Sequence, residues 1–387
     1  MRFNGYARPD GQVGARNYVA VMPTVFCVNE VVSAIVNNTE GTRGLCHHQG
    51  CCQLPPDLER TTQCLIGLGQ SPNIGAVVLV SLGCEGTHAD RVMEEIAQSG
   101  KPVEIIRVQE GGGTSNSIMA GINAAQRLQL AISGIQRNPV DISRLVMSIK
   151  CGSSDATSGL TSNCVIGHVA DRLVDLGAAV VFGETTEFLG AEHILVRRAI
   201  NEEIGQRIIE KVAQMEARAM SLGCDMREGQ PTPGNMAGGL STIEEKSLGA
   251  IVKSGTRPIN GLMEYPDTIQ DRTGLWIKDT PGREMEILTG MAITGSQCML
   301  FSTGRGAPQG FPTMPVIKIC GNPLTHEHLK NDMDINAGRI ILGESSIREI
   351  AEETLDKLLK VLNGEMTKSE AIRYNQSCDF YMLGPVI

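Results

Sequence analysis

Aromatic residues make up only 3% of the 387-residue chain, with a single Trp. That excludes the stacked-ring platforms on which single-stranded nucleic acids are held. Basic side chains are outnumbered, 34 Lys and Arg against 43 Asp and Glu. The net charge of −9 offers no broad basic face to DNA or RNA. No run of 18 apolar residues exists to span a membrane, and Met1-Arg2-Phe3-Asn4-Gly5 lacks a signal-peptide core. A cytoplasmic location is therefore expected, without membrane or nucleic-acid partners. The 12 cysteines include no Cys-x-x-Cys pair, which argues against a zinc ribbon or a thioredoxin site. In a reducing compartment they stay thiols.

Apolar residues reach 41% and charged residues 20%, enough for a large core. Apolar, β-branched runs at Tyr18–Val25, Ile74–Ser81, Val103–Val108 and Leu145–Ile149 alternate with helical spacing at 29–36, 55–68, 88–98 and 115–133. The pattern predicts an α/β fold of two consecutive Rossmann-like units, each a parallel sheet with helices on both faces. Residues 1–16 read as an irregular lead-in. Asn138-Pro139 to Ile142 reads as a linker, dividing the chain into residues 1–138 and 139–387. Two prolines and two glycines make residues 229–235 loop, and Ser241 with Glu244 reads as the capping box of a following helix.

Open α/β sheets bind ligands where the C-terminal ends of their strands converge. Several loops expected there carry reactive side chains. The stretch from Lys150 to His193 is the richest: Lys150-Cys151-Gly152 and Asp155 open it, and Glu184, Glu187, Glu192 and His193 close it. Carboxylates beside an imidazole supply hard-metal ligands or acid/base groups, although Glu residues also simply decorate helix N-termini. His47-x-x-Gly50-Cys51 and Gly83-Cys84-Glu85 add soft ligands. With Cys151 these thiols serve either one iron or an iron–sulfur cluster, or are ordinary thiols, and the spacing does not choose. Gly111-Gly112-Gly113-Thr114 before a helix is either a tight turn or a carboxylate contact; it fits neither dinucleotide nor P-loop patterns. Thr303-Gly304-Arg305-Gly306 is a second anion cradle, or a turn with a surface Arg.

These blocks, in this order, resemble the altronate/galactarate dehydratases over essentially the whole chain. The resemblance extends through Pro233-Gly234-Asn235, Thr242-Ile243-Glu244-Glu245-Lys246, Asp279-Thr280-Pro281-Gly282 and Asp332-Met333-Asp334-Ile335-Asn336. It implies a carbon–oxygen lyase that removes water from a sugar acid to give a 2-keto-3-deoxy acid. It also implies a divalent metal, most simply Fe(II), with Mn as an alternative and an iron–sulfur cluster as a weaker one. Single-chain members carry an additional small SAF-type domain, which this sequence lacks. The chain thus resembles a separate large subunit in a homo- or hetero-oligomer with a small SAF-type partner. The large subunit of sulfolactate sulfo-lyase shares the Gly183-to-Glu187 and Thr242-to-Lys246 blocks but not the Gly-Cys pairs at 50–51 and 83–84. Release of sulfite is therefore kept as the alternative, and an iron–sulfur redox protein as one of another class. The expected catalytic residues are His193, Glu187, Glu184, Lys150 and Asp155, with His193 or Glu187 as the base. The expected substrate contacts are Gly112, Gly113, Thr114, Arg305 and Asn235. The expected metal ligands are His47, Cys51, Cys84 and Cys151.

Overall fold

The computed structural model describes residues 1–376 and 378–385. Its smallest sheet joins the start of the chain to its middle. Strand β1 (Arg2–Ala7) is flanked by β2 (Val13–Gly14) and β7 (Arg137–Asp141), both antiparallel to it. The lead-in and linker expected from sequence are thus paired strands. Phe3 and Gly5 turn inward while Arg2 and Asn4 face solvent, the period-two alternation of a half-buried strand. The partner lies more than 130 residues away, so neither segment shows this pairing locally.

The first parallel sheet runs in the order β4 (Thr42–Gly44), β3 (Tyr18–Pro23), β5 (Ile74–Ser81), β6 (Val103–Arg107). Every residue of β5 is buried, as expected of a strand covered on both faces. Helices Asn29–Asn37 and Thr114–Ser133 bury Val31, Ile35, Ala124 and Leu128 against Val19, Val21 and Val78. Helices Pro55–Gly69 and Ala89–Ala97 cover the other face through Leu65, Val92 and Ile96.

The second parallel sheet has seven strands: β10 (Ile259–Met263), β11 (Gly274–Lys278), β9 (Ala179–Phe182), β8 (Val146–Cys151), β12 (Cys298–Thr303), β13 (Val316–Cys320), β14 (Ile335–Asn336). From β8 the chain builds outward to β9 on one side and later to β12 on the other. The topological switch lies between β8 and β12, from which the chain's connections lead to opposite sides of the sheet. Two local expectations shift. The cap of helix Ile243–Ile251 is Thr242, whose hydroxyl accepts from Glu245 N, rather than Ser241. Pro233 does not keep its segment irregular: it starts a five-residue helix, Pro233–Ala237, capped by Thr232. Proline fits there because the first turn has no acceptor for its missing N–H.

Candidate active site

Strand β8 ends at Cys151, and its last two side chains meet the loop after β9. That loop turns on Glu184, whose φ of +72° is left-handed, uncommon for a residue with a side chain. Its backbone is held by Glu184 N donating to Thr280 Oγ1 at 2.7 Å and by Thr185 Oγ1 donating to Asp279 Oδ1 at 2.7 Å. The strained residue thereby presents its carboxylate to β8. Lys150 Nζ donates to Glu184 Oε1 at 2.9 Å, and Cys151 N donates to Oε2 at 3.0 Å. Glu187, on the short 3-10 turn Thr185–Glu187, accepts from Cys151 Sγ at 2.8 Å.

A third element closes the cluster. Helix Ile243–Ile251 runs into a 3-10 turn, Val252–Ser254, that carries Lys253 inward. Lys253 Nζ lies 2.9 Å from Cys151 Sγ, 2.6 Å from Glu184 Oε2 and 3.1 Å from Glu187 Oε2. Lys246, on the same helix, reaches Glu187 Oε1 at 3.3 Å. Lys150, Cys151, Glu184, Glu187 and Lys253 are all buried.

Charge is kept in this dry site because each ion has its opposite beside it. Burial opposes the charge on Lys253, but Cys151, Glu184 and Glu187 around it hold its pKa well above the ordinary lysine value. Burial likewise opposes the charge on Glu187, yet Lys253 and Lys246 hold its carboxyl well below the usual range. Burial, with Glu184 and Glu187 adding to it, pushes the Cys151 thiol well up.

Beside the cluster opens a cavity of about 260 Å³, lined by Ser154, Asp155, Ser158, Asn163 and Lys246 among others. Asp155 is committed to architecture: it accepts from Thr157 N and Oγ1, Ser158 N and Oγ, and Asn322 Nδ2. The loop after β12 comes so close that a Cβ on Gly304 would lie 2.1 Å from Asp155 Oδ1, so only glycine fits there. Arg305 N donates to Ser153 O at 2.9 Å while its side chain is exposed, and Asn235 Nδ2 donates to Ser154 O at 2.8 Å. Lys150, Asp155, Glu184, Glu187, Cys151, Asn235 and Arg305 therefore share one end of the seven-stranded sheet.

The remaining expected residues lie elsewhere or point away. His193, at the start of the short helix Glu192–Val196, is exposed, and no hydrogen bond among the described residues ties it to the cluster. Gly112, Gly113 and Thr114 form the entry to helix Thr114–Ser133 beside the four-stranded sheet; Gly113, at φ +91°, makes the turn. The four expected metal ligands do not form one set. Cys51 and Cys84 are exposed on loops of the four-stranded sheet that touch through Gly86 N donating to Gly50 O. Both nitrogens of buried His47 are occupied: Nε2 donates to Pro23 O at 2.8 Å, and Nδ1 accepts from Gln49 N at 3.2 Å. An imidazole used at both ends has no lone pair left for a metal.

Two family models account for nearly all of the chain. One for the C-terminal part of D-galactarate/altronate dehydratases matches residues 142–383, and one for the second domain of D-galactarate dehydratase/altronate hydrolase matches 5–133. The chain belongs to the D-galactarate/altronate dehydratase family. A (2R)-sulfolactate sulfo-lyase subunit beta from Chromohalobacter salexigens is 36% identical over 97% of this chain and 96% of that protein. Altronate dehydratase from Bacillus subtilis is 32% identical over 95% of this chain and 75% of its own length. Galactarate dehydratase (L-threo-forming) from Escherichia coli is 32% identical over 94% and 73%. As a member of this family the chain is an enzyme, a lyase. No helix among the described residues is long and apolar enough to cross a membrane.

Among the described residues, Cys151, Glu184 and Glu187 are the one group of three whose ligand atoms lie within 4.8 Å of one another. A thiol with two carboxylates suits a divalent transition metal, so the family's chemistry and this triad are compatible. Lys253 and Lys246 were not singled out from sequence. Lys246 stands inside the Thr242-to-Lys246 block. Lys253 had a weaker signal, a lone cation after the apolar Ala250-Ile251-Val252.

Proposed function

We propose that this lyase removes water from a sugar acid of the altronate or galactarate type, giving a 2-keto-3-deoxy acid. The observation that carries the reading is the buried acid–thiol cluster flanked by lysines, one of which, Lys246, also lines the neighbouring cavity. Such a lyase must remove the proton beside a carboxylate, and the resulting aci-carboxylate carries additional negative charge. Lys246, paired with Glu187 and lining the cavity, binds the substrate carboxylate and offsets that charge. Glu187, held anionic, takes the C2 proton through Oε1. The same proton then leaves with the C3 hydroxyl as water, and the enol rearranges to the ketone. Glu184 fixes Lys150 and Lys253, Asp155 holds the loop that walls the cavity, Asn235 pins the cavity residue Ser154, and exposed Arg305 is offered to the distal end of the substrate.

The metal, taken as Fe(II), would be held by Cys151, Glu184 and Glu187, and when bound it supplies Lewis-acid stabilisation of the carboxylate. The sulfo-lyase relative is named a subunit beta, which supports a small partner chain, here taken to be SAF-like. Twelve free thiols fit a reducing, cytoplasmic setting. A second reading, release of sulfite from sulfolactate, is favoured by the end-to-end match to that relative. Assaying the purified chain with Fe(II), with and without a small partner, against altronate, galactarate and sulfolactate separates the two. Keto acid without sulfite supports dehydration, sulfite supports the second reading, and neither under any condition refutes both.

A further inference from the structure

The seat of the candidate metal is already filled. Lys253 Nζ lies within 3.1 Å of all three atoms that would ligate an ion, Cys151 Sγ, Glu184 Oε2 and Glu187 Oε2. An ion bonded to the same three atoms would require the space the ammonium occupies, since metal–oxygen and metal–sulfur bonds are near 2.0–2.3 Å. We infer that Lys253 is a built-in cation that a divalent metal must displace, so that metal loading is an exchange of one cation for another.

Charge makes the same demand. Glu184 and Glu187 face the ammonium groups of Lys150, Lys246 and Lys253, and Glu284 stands 3.9 Å from Lys150, so three carboxylates balance three ammonium groups. A dication entering while Lys253 stayed would add positive charge with no carboxylate left to face it. Moving the Lys253 ammonium out as the metal enters offsets part of that added charge. Unbalanced charge is heavily penalised in a buried site, so exchange is the favoured route. The position of Lys253 allows it: the side chain leaves a short 3-10 turn followed by Gly255, and the neighbouring residues Val252 and Ala250 line the adjoining cavity. Before loading, Lys253 neutralises two carboxylates that would otherwise repel each other. The metal-free enzyme is thereby expected to stay folded, with its ligands gathered.

This inference rests on the proposed metal site, and its test reads binding rather than turnover. The intact protein is titrated with Co(II), whose thiolate bond gives a near-ultraviolet absorption band. The band should appear in the wild type and be absent from C151S. At saturation, Lys253 should acquire an amine-reactive label severalfold faster than without metal, while buried Lys278 stays unlabelled in both states. K253M should bind Co(II) about tenfold or more tightly, because no ammonium competes. A Co(II)–thiolate band with unchanged labelling of Lys253, or affinity in K253M equal to or below wild type, would overturn the exchange and leave the proposed function standing. No band at Cys151 overturns the exchange together with the assigned metal seat; metal-independent turnover would then separately refute the metal-assisted reading. If K253M does not fold, the labelling of the wild type decides.

Discussion

Both parallel sheets deliver a cysteine at the C-terminal end of a central strand: Cys84 just past β5, and Cys151 as the last residue of β8. Each stands next to a glycine. The surroundings differ in every physical respect. Cys84 is exposed, with Gln109 Nε2 donating to its sulfur, and neighbouring Glu85 is turned back onto Thr24, Ser81 and Gly83 N. Cys151 is buried between two carboxylates and an ammonium. At the first sheet edge the polar groups satisfy one another within the loops. At the second they converge from β8, the loop after β9 and the turn after helix Ile243–Ile251, which no local motif can arrange. A Gly-Cys pair at a strand end thus marks a place where chemistry is possible, and the neighbouring elements decide whether it is present.

The largest test of this contrast is E184Q. It leaves Lys150 and Lys253 short of a buried counter-charge, so stability should fall by about 3–5 kcal/mol. Turnover should fall about 10²-fold or more in whatever remains folded. Thermal melts and keto-acid assays check both, and near-wild-type values would show the cluster to be ornamental. K246M comes next. The Lys246 side chain is largely buried, but Glu187 keeps Lys253 beside it, so stability should fall by only about 1–3 kcal/mol, while turnover drops at least about tenfold through loss of carboxylate binding. An equal loss of both would recast Lys246 as structural.

The loop of the first sheet should announce itself through pH instead. Burial holds His47 at a pKa of about 4, against 6.5 for the free side chain. Between these values the unfolded chain binds a proton that the folded one refuses, so stability falls as pH drops from about 6.5 to about 4. Denaturant titrations of H47Q should show a shallower fall over that window, and equal slopes would mean that the ring is not kept neutral. The smallest effect is expected from C51S and C84S, each changing turnover and metal content less than about twofold, as exposed polar substitutions usually do. A large loss of metal in either would collapse the contrast between the two sheet edges.

Much of this was readable in advance where the signal is local. Buried parallel strands announce themselves as β-branched runs, and glycine-broken loops after them mark the edge where Lys150, Cys151, Glu184 and Glu187 meet. His47 shows the limit of such reading. A histidine near cysteines looks like a ligand until the backbone of Pro23 and Gln49 is seen to occupy both its nitrogens. Lys253 shows the converse: a single cation in an apolar segment carries no local mark of function, and only the turn after its helix aims it inward. The β1–β7 pair escaped for a third reason, since each half is a short polar segment whose partner is remote.

That remote pairing has a consequence for biosynthesis. Arg2 pairs with Asp141, so strand β1 has only the two-residue β2 to zip against until a stretch more than 130 residues downstream has left the ribosome. Arg16, a few residues on, donates to Glu370 and to the carbonyls of Val361 and Glu365, partners 345 or more residues further along the chain. The two segments that match separate family models are therefore poor candidates for independent expression. A fragment cut between them would expose a bare strand edge and a buried arginine stripped of its counter-ion, and insoluble halves would be the expected harvest.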